Sequence, residues 1–250
     1  MQSLFQLTFD NGATARGVSL SEDSEISSAL QQLGFTTARP TLVIVGGASG
    51  LAVDDMEQLR SLFQNVLCSF ADSFDFAVID GGTDAGVMRL IGQSRSATGR
   101  KFPLLGVVVQ AKAILPNTPA PTDDAATLEA HHTHFMLVPG SKWGDESDWI
   151  AKVATVLSNG KPSLTLLING GEIALRQDVP NSIEQARPVL IISGSGRSAD
   201  RLADAINGKT SDPEVQNLIN SGLLYTVDLT VEQNLLQAAL QKVLLAAHSS

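Results

Sequence analysis

Five glycine clusters hold the residues of this chain that could do chemistry. They are Gly46-Gly47 with Ala48, Ser49 and Gly50; Gly81-Gly82 with Thr83 and Gly86; Gly140 and Gly144 with Ser141; Gly170-Gly171; and Gly194-Ser195-Gly196 with Arg197. Each directly follows an apolar run. Glycine lets the backbone turn tightly and approach a ligand with no Cβ in the way, and the amino end of a helix behind such a turn favours an anion. One such pair is explained by strand-to-helix packing alone. Together, with Ser49, Thr83, Ser141 and Ser195 as donors, they favour a phosphate-rich nucleotide. Arg197 is the candidate cation, because a guanidinium grips a pyrophosphate in bidentate fashion; its bland alternative is a surface arginine at a helix start. Glu146 could accept ribose hydroxyls, or could simply face the macrodipole at a helix terminus.

Other chemistries fit less well. Gly194-x-Gly196-x-x-Ala199 satisfies a dinucleotide fingerprint, but no acidic residue ends a strand about 20 residues further on, and Asp228 comes too late. His131, His132 and His134 invite a metal, yet no cysteine or carboxylate completes a ligand set at zinc spacing. Ser49 in GGASG lacks the G-x-S-x-G elbow of a serine hydrolase. Trp143 and Trp149 are candidates for the core or for sheltering an adenine.

The elements that must carry these residues alternate as strand and helix from Arg39 onward, the pattern of a doubly wound parallel sheet. Strands are predicted over 41–45, 76–79, 104–109, 134–138, 163–168, 189–192 and 223–229. Helices are predicted over about 53–69, from Thr83 or Asp84 as cap through Ile91, and over 145–157, 198–206 and 232–247. Ahead of them, Asn11-Gly12 between two alternating runs predicts an antiparallel ribbon, and Glu25 to Leu33 a short helix ended by Gly34. Residues 1–39 are read as a ribbon and helix packed on a main domain of 40–250. Pro116, Pro119 and Pro121 break the rhythm, so 111–130 is read as a long loop, either a lid or an insertion.

At 250 residues with 43% hydrophobic content, the chain can bury one large core. Its formal net charge of −9 argues against general binding of nucleic acid or anionic membrane. An anionic ligand must therefore be held locally. The one cysteine, Cys68, excludes an intrachain disulfide and suits a reducing compartment. The amino end resembles no signal peptide and no run reaches the length of a membrane span, so a cytoplasmic location is expected.

The ordered set VIVGGASG at 43–50, DGGTDAGVMRLIG at 80–92, HTHFMLVPGSKWGDESDW at 132–149, LLINGGEIA at 166–174 and PVLIISGSGRSADRLA at 188–203 resembles the SLOG superfamily. Within it the chain is most similar to the LSDAT family, known from the amino-terminal cytosolic region of TRPM cation channels. The resemblance implies a Rossmann-like α/β fold and a ligand sensor for ADP-ribose or a related NAD-derived molecule. It implies no resident cofactor, and a homo-oligomer signalling through a separately encoded effector is the expected setting. The family's GGA turn falls on Gly46, Gly47 and Ala48, its GGT turn on Gly81, Gly82 and Thr83, and its GSGR element on Gly194 to Arg197. Its His-Thr-His feature would place His134 at or under the pocket. The same superfamily contains phosphoribohydrolases that cleave an N-glycosidic bond; their PGGxGTxxE motif is departed from here at 139–148, which leaves Glu146 out of register as the acid of an alternative, enzymatic reading.

Overall fold

The computed structural model describes residues 3–47 and 53–246. An antiparallel ribbon comes first, β1 (Ser3–Thr8) and β2 (Thr14–Ser19), turned at Asn11-Gly12, where the Asn11 carboxamide accepts the Ala13 N–H at 3.0 Å. Helix α1 (Ile26–Leu33) ends at Gly34, whose φ of 104° gives the left-handed cap. The alternating region then runs β3 (Thr41–Gly46), α2 (Val53–Ser61), α3 (Cys68–Ser73), β4 (Ala77–Asp80), α4 (Gly86–Ala97) and β5 (Leu104–Val109). A π-helical stretch, Leu62–Leu67, joins α2 to α3. Two-residue strands β6 (Ala113–Ile114) and β7 (Ala126–Thr127) pair with each other, and β8 (His134–Val138) and α5 (Glu146–Ser158) follow. The chain closes with β9 (Ser163–Ile168), α6 (Val179–Glu184), β10 (Val189–Ser193), α7 (Arg197–Ile206), α8 (Pro213–Ile219), β11 (Leu224–Asp228) and α9 (Gln233–Ala246).

Nine strands form one sheet in the order β1-β2-β8-β5-β4-β3-β9-β10-β11, antiparallel only between β1 and β2. This is the doubly wound, mainly parallel sheet that the alternation predicts. The ribbon lays β2 alongside β8 and so extends the sheet. From β3 the chain steps outward through β4 and β5 to β8, then returns to lay β9 on the other side of β3. Crossovers between parallel strands are right-handed, so reversing the direction of travel sends later helices to the opposite face. The core divides accordingly. Leu42 and Ile44 of β3 pack with α3 and α4, whereas Val43 and Val45 pack with α5 and α7, as the two-residue strand period requires.

Two helical stretches fall outside the predicted elements: α8, and α6 together with the turn that leads into it. Asp212 caps α8 by accepting the Glu214 N–H, with Pro213 in the first turn; that Asp-Pro-Glu signal is readable in the sequence. The second begins ahead of α6: Ala174–Asp178 is a π turn, in which the Val179 N–H reaches back to Ala174 O. Pro180, having no N–H to return to the Arg176 carbonyl, accounts for the break in α-helical register. A cap at Thr83 or Asp84 does not form either. Helix α4 starts at Gly86 after an extended Ala85, Thr83 bridges to Leu128, and the Asp84 carboxylate holds Arg89 at 2.7 Å.

The segment over 111–130 is anchored at its two ends, while residues 117–121 between them are exposed. Ala113 and Leu128 share a core cluster with Phe9, Val108 and Phe135, and buried Lys112 pairs with Asp124 at 2.7 Å. Elsewhere, Cys68 is buried and its thiol is pushed up to about 12 by burial, which makes it an inert packing group. Buried Arg187 ties the amino ends of β9 and β10 to α5 through Ser163 Oγ, Ala151 O and Thr155 Oγ1; burial lowers it to about 10.

Gly82 and Gly106 let the β4 turn rest on β5. A Cβ on Gly106 would come within 2.6 Å of Gly82 Cα and 2.9 Å of the Phe135 ring. Gly106→Ala is therefore expected to destabilise the fold by about 1–3 kcal/mol, the usual cost of overpacking, read as a lowered midpoint in urea denaturation.

Candidate functional site

All five glycine clusters follow carboxyl ends of parallel strands, β3, β4, β8, β9 and β10, and so lie along one edge of the sheet. Between β3 and β9, where strand order reverses, that edge opens into a cavity of about 540 Å³. Open α/β sheets bind ligands at this place. Gly46, Gly47, Gly81, Thr83, Glu146, Gly171 and Arg197 line the cavity. Ala48 and Ser49 lie outside the described residues.

Arg197 is the cation of the cavity wall. It opens α7 with φ of 51° after Gly196 at 98°, a strained approach for a non-glycine residue. Its guanidinium lies between two turns that have no side chain: a Cβ on Gly47 would stand 3.0 Å from Nη1, and one on Gly171 2.9 Å from Nη2. Asn169 sets this corner. Its N–H donates to Ser195 Oγ and its Nδ2 to Ser195 O, both at 2.8 Å. Its Oδ1 is buried with no hydrogen-bond partner. The Ala199 N–H is taken by Asn169 O, so that amide in the first turn of α7 is already engaged within the chain.

Several expected residues support the wall without lining it. Gly82 packs on Gly106 and Phe135, Gly140 on Asp145 and Val109, and Gly170 on Leu167 and Ser198. Gly86 begins α4. Exposed Ser141 donates its N–H to Asp145 at 2.8 Å, buried Ser195 serves Asn169, and Gly194 donates its N–H to Asp200 at 2.6 Å. His134 is misplaced by the resemblance: it begins β8, at the amino end of the strand and thus the opposite edge of the sheet, packed on Phe35 with its rings 4.8 Å apart. Burial pushes it down to about 4, helped by Arg16.

The histidine that serves the site is His132. Its Nε2 meets Asp80 Oδ1 and its Nδ1 meets Glu129 Oε2, each at 2.9 Å. The same Asp80 oxygen accepts the Gly82 N–H at 2.7 Å, and the Glu129 N–H donates to Gly82 O. This chain of contacts clamps the Gly81-Gly82 turn from beneath. Gly92 leaves room for it, since a Cβ there would fall 1.9 Å from Glu129. Among the described residues, no group of three or more His, Cys, Asp or Glu is arranged to hold a metal ion.

Four acids line the cavity: Asp124, ion-paired with Lys112, Glu172, ion-paired with Arg176, and, from α5 and the π turn, Glu146 and Asp178. Glu146 opens α5 and accepts the Gly144 N–H at 2.9 Å; burial raises its pKa above the ordinary carboxylate value. Asp178, which ends the π turn, is pushed up to about 7 by burial and by the neighbouring Glu146 charge. Asp178 was missed because 172–187 reads as no element. The Asp-Val-Pro spacing before a helix was its one signal. Trp143 also lines the cavity and donates its indole N–H to Asp124 O at 3.0 Å, joining the 111–130 segment to the rim, whereas Trp149 is core.

A family model described as SLOG in TRPM, prokaryote, matches residues 39–237. The chain belongs to this family. Similar curated proteins are the transient receptor potential cation channel subfamily M member-like 2 of Nematostella vectensis, 27% identical over 209 residues, 67% of this chain and 13% of that protein; the channel trpm of Drosophila melanogaster, 26% over 232 residues, 80% and 11%; and subfamily M member 2 of Mus musculus, 24% over 226 residues, 74% and 15%. The chain thus spans 11 to 15% of the length of these relatives. No helix among the described residues of this SLOG domain is long and apolar enough to cross a membrane.

Two titrations follow for this SLOG domain. Asp178 binds its proton more tightly folded than unfolded, so its contribution is full below about 3.8 and is lost as pH rises through about 7. Asp178→Asn should therefore gain stability over wild type between pH 4 and pH 8, by up to about 4 kcal/mol, in denaturant melts at each pH. For His132, burial opposes the charge but Asp80 and Glu129 overcome it and lift the imidazole to about 9. That stabilisation is complete below about 6.5 and fades as pH rises through about 9. His132→Gln should flatten the fall in melting temperature over that window.

Proposed function

We propose that this SLOG domain is a sensor module that binds a nucleotide derivative, ADP-ribose or a related NAD-derived molecule, in the cavity at the strand reversal. The observation that carries the proposal is the Arg197 guanidinium seated between the Cβ-less turns at Gly47 and Gly171. A diphosphate there meets a bidentate cation and close backbone, and meets them at the switch point of the sheet. Gly81 and Thr83 extend the same wall. The named relatives are cation channels many times longer than this chain. A self-associated sensing unit in the cytoplasm, coupled to an effector, belongs to the same proposal.

A second reading is favoured by one observation, the Glu146 carboxyl raised by burial on the cavity wall. A carboxyl that holds its proton more tightly than usual, beside a bound nucleotide, suits the acid step of N-glycosidic cleavage. The two readings separate by product. The sensor gives stabilisation of the fold by mass action without turnover, and the hydrolase releases free base.

Incubation with ADP-ribose, NAD and AMP, followed by both melting temperature and chromatography, tests this. ADP-ribose should raise the melting point with no product formed. Arg197→Ala should weaken binding by about 1.5–3 kcal/mol, on the order of 10- to 150-fold in Kd. Unchanged affinity for every phosphate-bearing ligand in that variant would remove the basis of the assignment.

A further inference from the structure

We infer that Glu146 and Asp178 form a hydroxyl-recognising pair, which takes the vicinal diol of a ribose ring in the ligand whose phosphates Arg197 holds. The inference rests on the nucleotide reading above and adds a specificity element to the same site.

Three observations carry it. First, the two carboxyls come from separate elements, the first residue of α5 and the last of the π turn, and both line the one cavity that also holds Arg197. π turns within helices recur at functional sites, and this one delivers Asp178 to the wall. Second, the buried Ser147 hydroxyl lies beside Asp178, outside the cavity lining, and steadies that carboxyl from behind. Third, Glu146 Oε2 is already engaged by the Gly144 N–H, which fixes the carboxyl in place before any ligand arrives.

The chemistry selects the ligand group. Two neighbouring acids repel a phosphate, so the ligand's charged part belongs at Arg197 and an uncharged part at the acids. Burial keeps a proton on Asp178 to about pH 7, so near neutrality the pair holds donor and acceptor together. A sugar hydroxyl donates and accepts through one oxygen, and two adjacent hydroxyls match two adjacent carboxyls. A site built to bond a hydroxyl rejects the analogue that lacks it far more strongly than an apolar pocket rejects a changed methylene.

Calorimetric titration of the intact chain tests this with ADP-ribose, its 2′-deoxy form on the adenosine ribose and its 2″-deoxy form on the terminal ribose. One of the two deoxy forms should bind wild type about tenfold or more weakly, as for a lost bond to a charged group. Asp178→Leu and Glu146→Gln should each weaken ADP-ribose by a similar factor, and the deoxy penalty should shrink to about threefold or less in Asp178→Leu, the signature of direct coupling. If Asp178→Leu does not fold, Asp178→Ala, which also removes both hydrogen-bonding atoms, carries the same coupling measurement. Equal binding of all three ligands by wild type, with Arg197→Ala still weakening each, would overturn the diol pair and leave the phosphate site standing. Absence of binding by any of them would bring down both.

Discussion

The structure depends on the parallel pairing of β3 with two partners reached in opposite directions, β4 on one side and β9 on the other. Because parallel crossovers are right-handed, the chain leaving β3 and the chain leaving β9 go to opposite faces of the sheet. The carboxyl ends of these adjacent strands are therefore not roofed by a common connection. A crevice is the geometric consequence, and everything chemically distinctive in the chain gathers around it. Gly46 and Gly47 come from one lip, Gly171 and the π turn from the other, and Arg197 closes the corner from the next strand along.

The crevice is held open by polar groups placed behind the wall rather than in it. Asp80, His132 and Glu129 fix the Gly81-Gly82 turn, and Asn169 with Ser195 fixes the turn below Arg197. Each network is buried, and each leaves an oxygen unsatisfied, Asp80 Oδ2 in one and Asn169 Oδ1 in the other. Buried polar networks specify a unique arrangement only when their members are constrained from several elements. Here β4, β8's approach and the 126–132 segment supply one set of constraints, and β9, β10 and α7 supply the other. The segment over 111–130 joins this scaffolding, since its backbone bonds Gly82 and Asp84 and its Asp124 receives Trp143.

Much of this was legible in residues alone. Continuous apolar runs such as Val43 to Val45 and Leu164 to Ile168 announce strands buried on both faces, and the glycines that stop them announce turns at one edge. Arg197 beside Gly196 announces a cation at a helix start. What was not legible follows from contacts distant in sequence. His132 and His134 look equivalent along the chain, yet one reaches Asp80, 52 residues away, while the other begins a strand and faces Phe35 at the far edge. Asp178 could not be recognised because Pro180 hides a helix from periodicity, and the resulting π turn has no simple pattern.

The sequence by itself determined the alternation of strand and helix, the family, and which edge of the sheet would collect the glycines, because strand burial and turn chemistry are local properties written in short runs. The tertiary structure alone decided which glycines face a ligand and which only permit close packing. It also decided that Glu146 and Asp178 share one cavity with Arg197. Those outcomes depend on where the strand order reverses and on burial by neighbours far along the chain, and no local spacing encodes either.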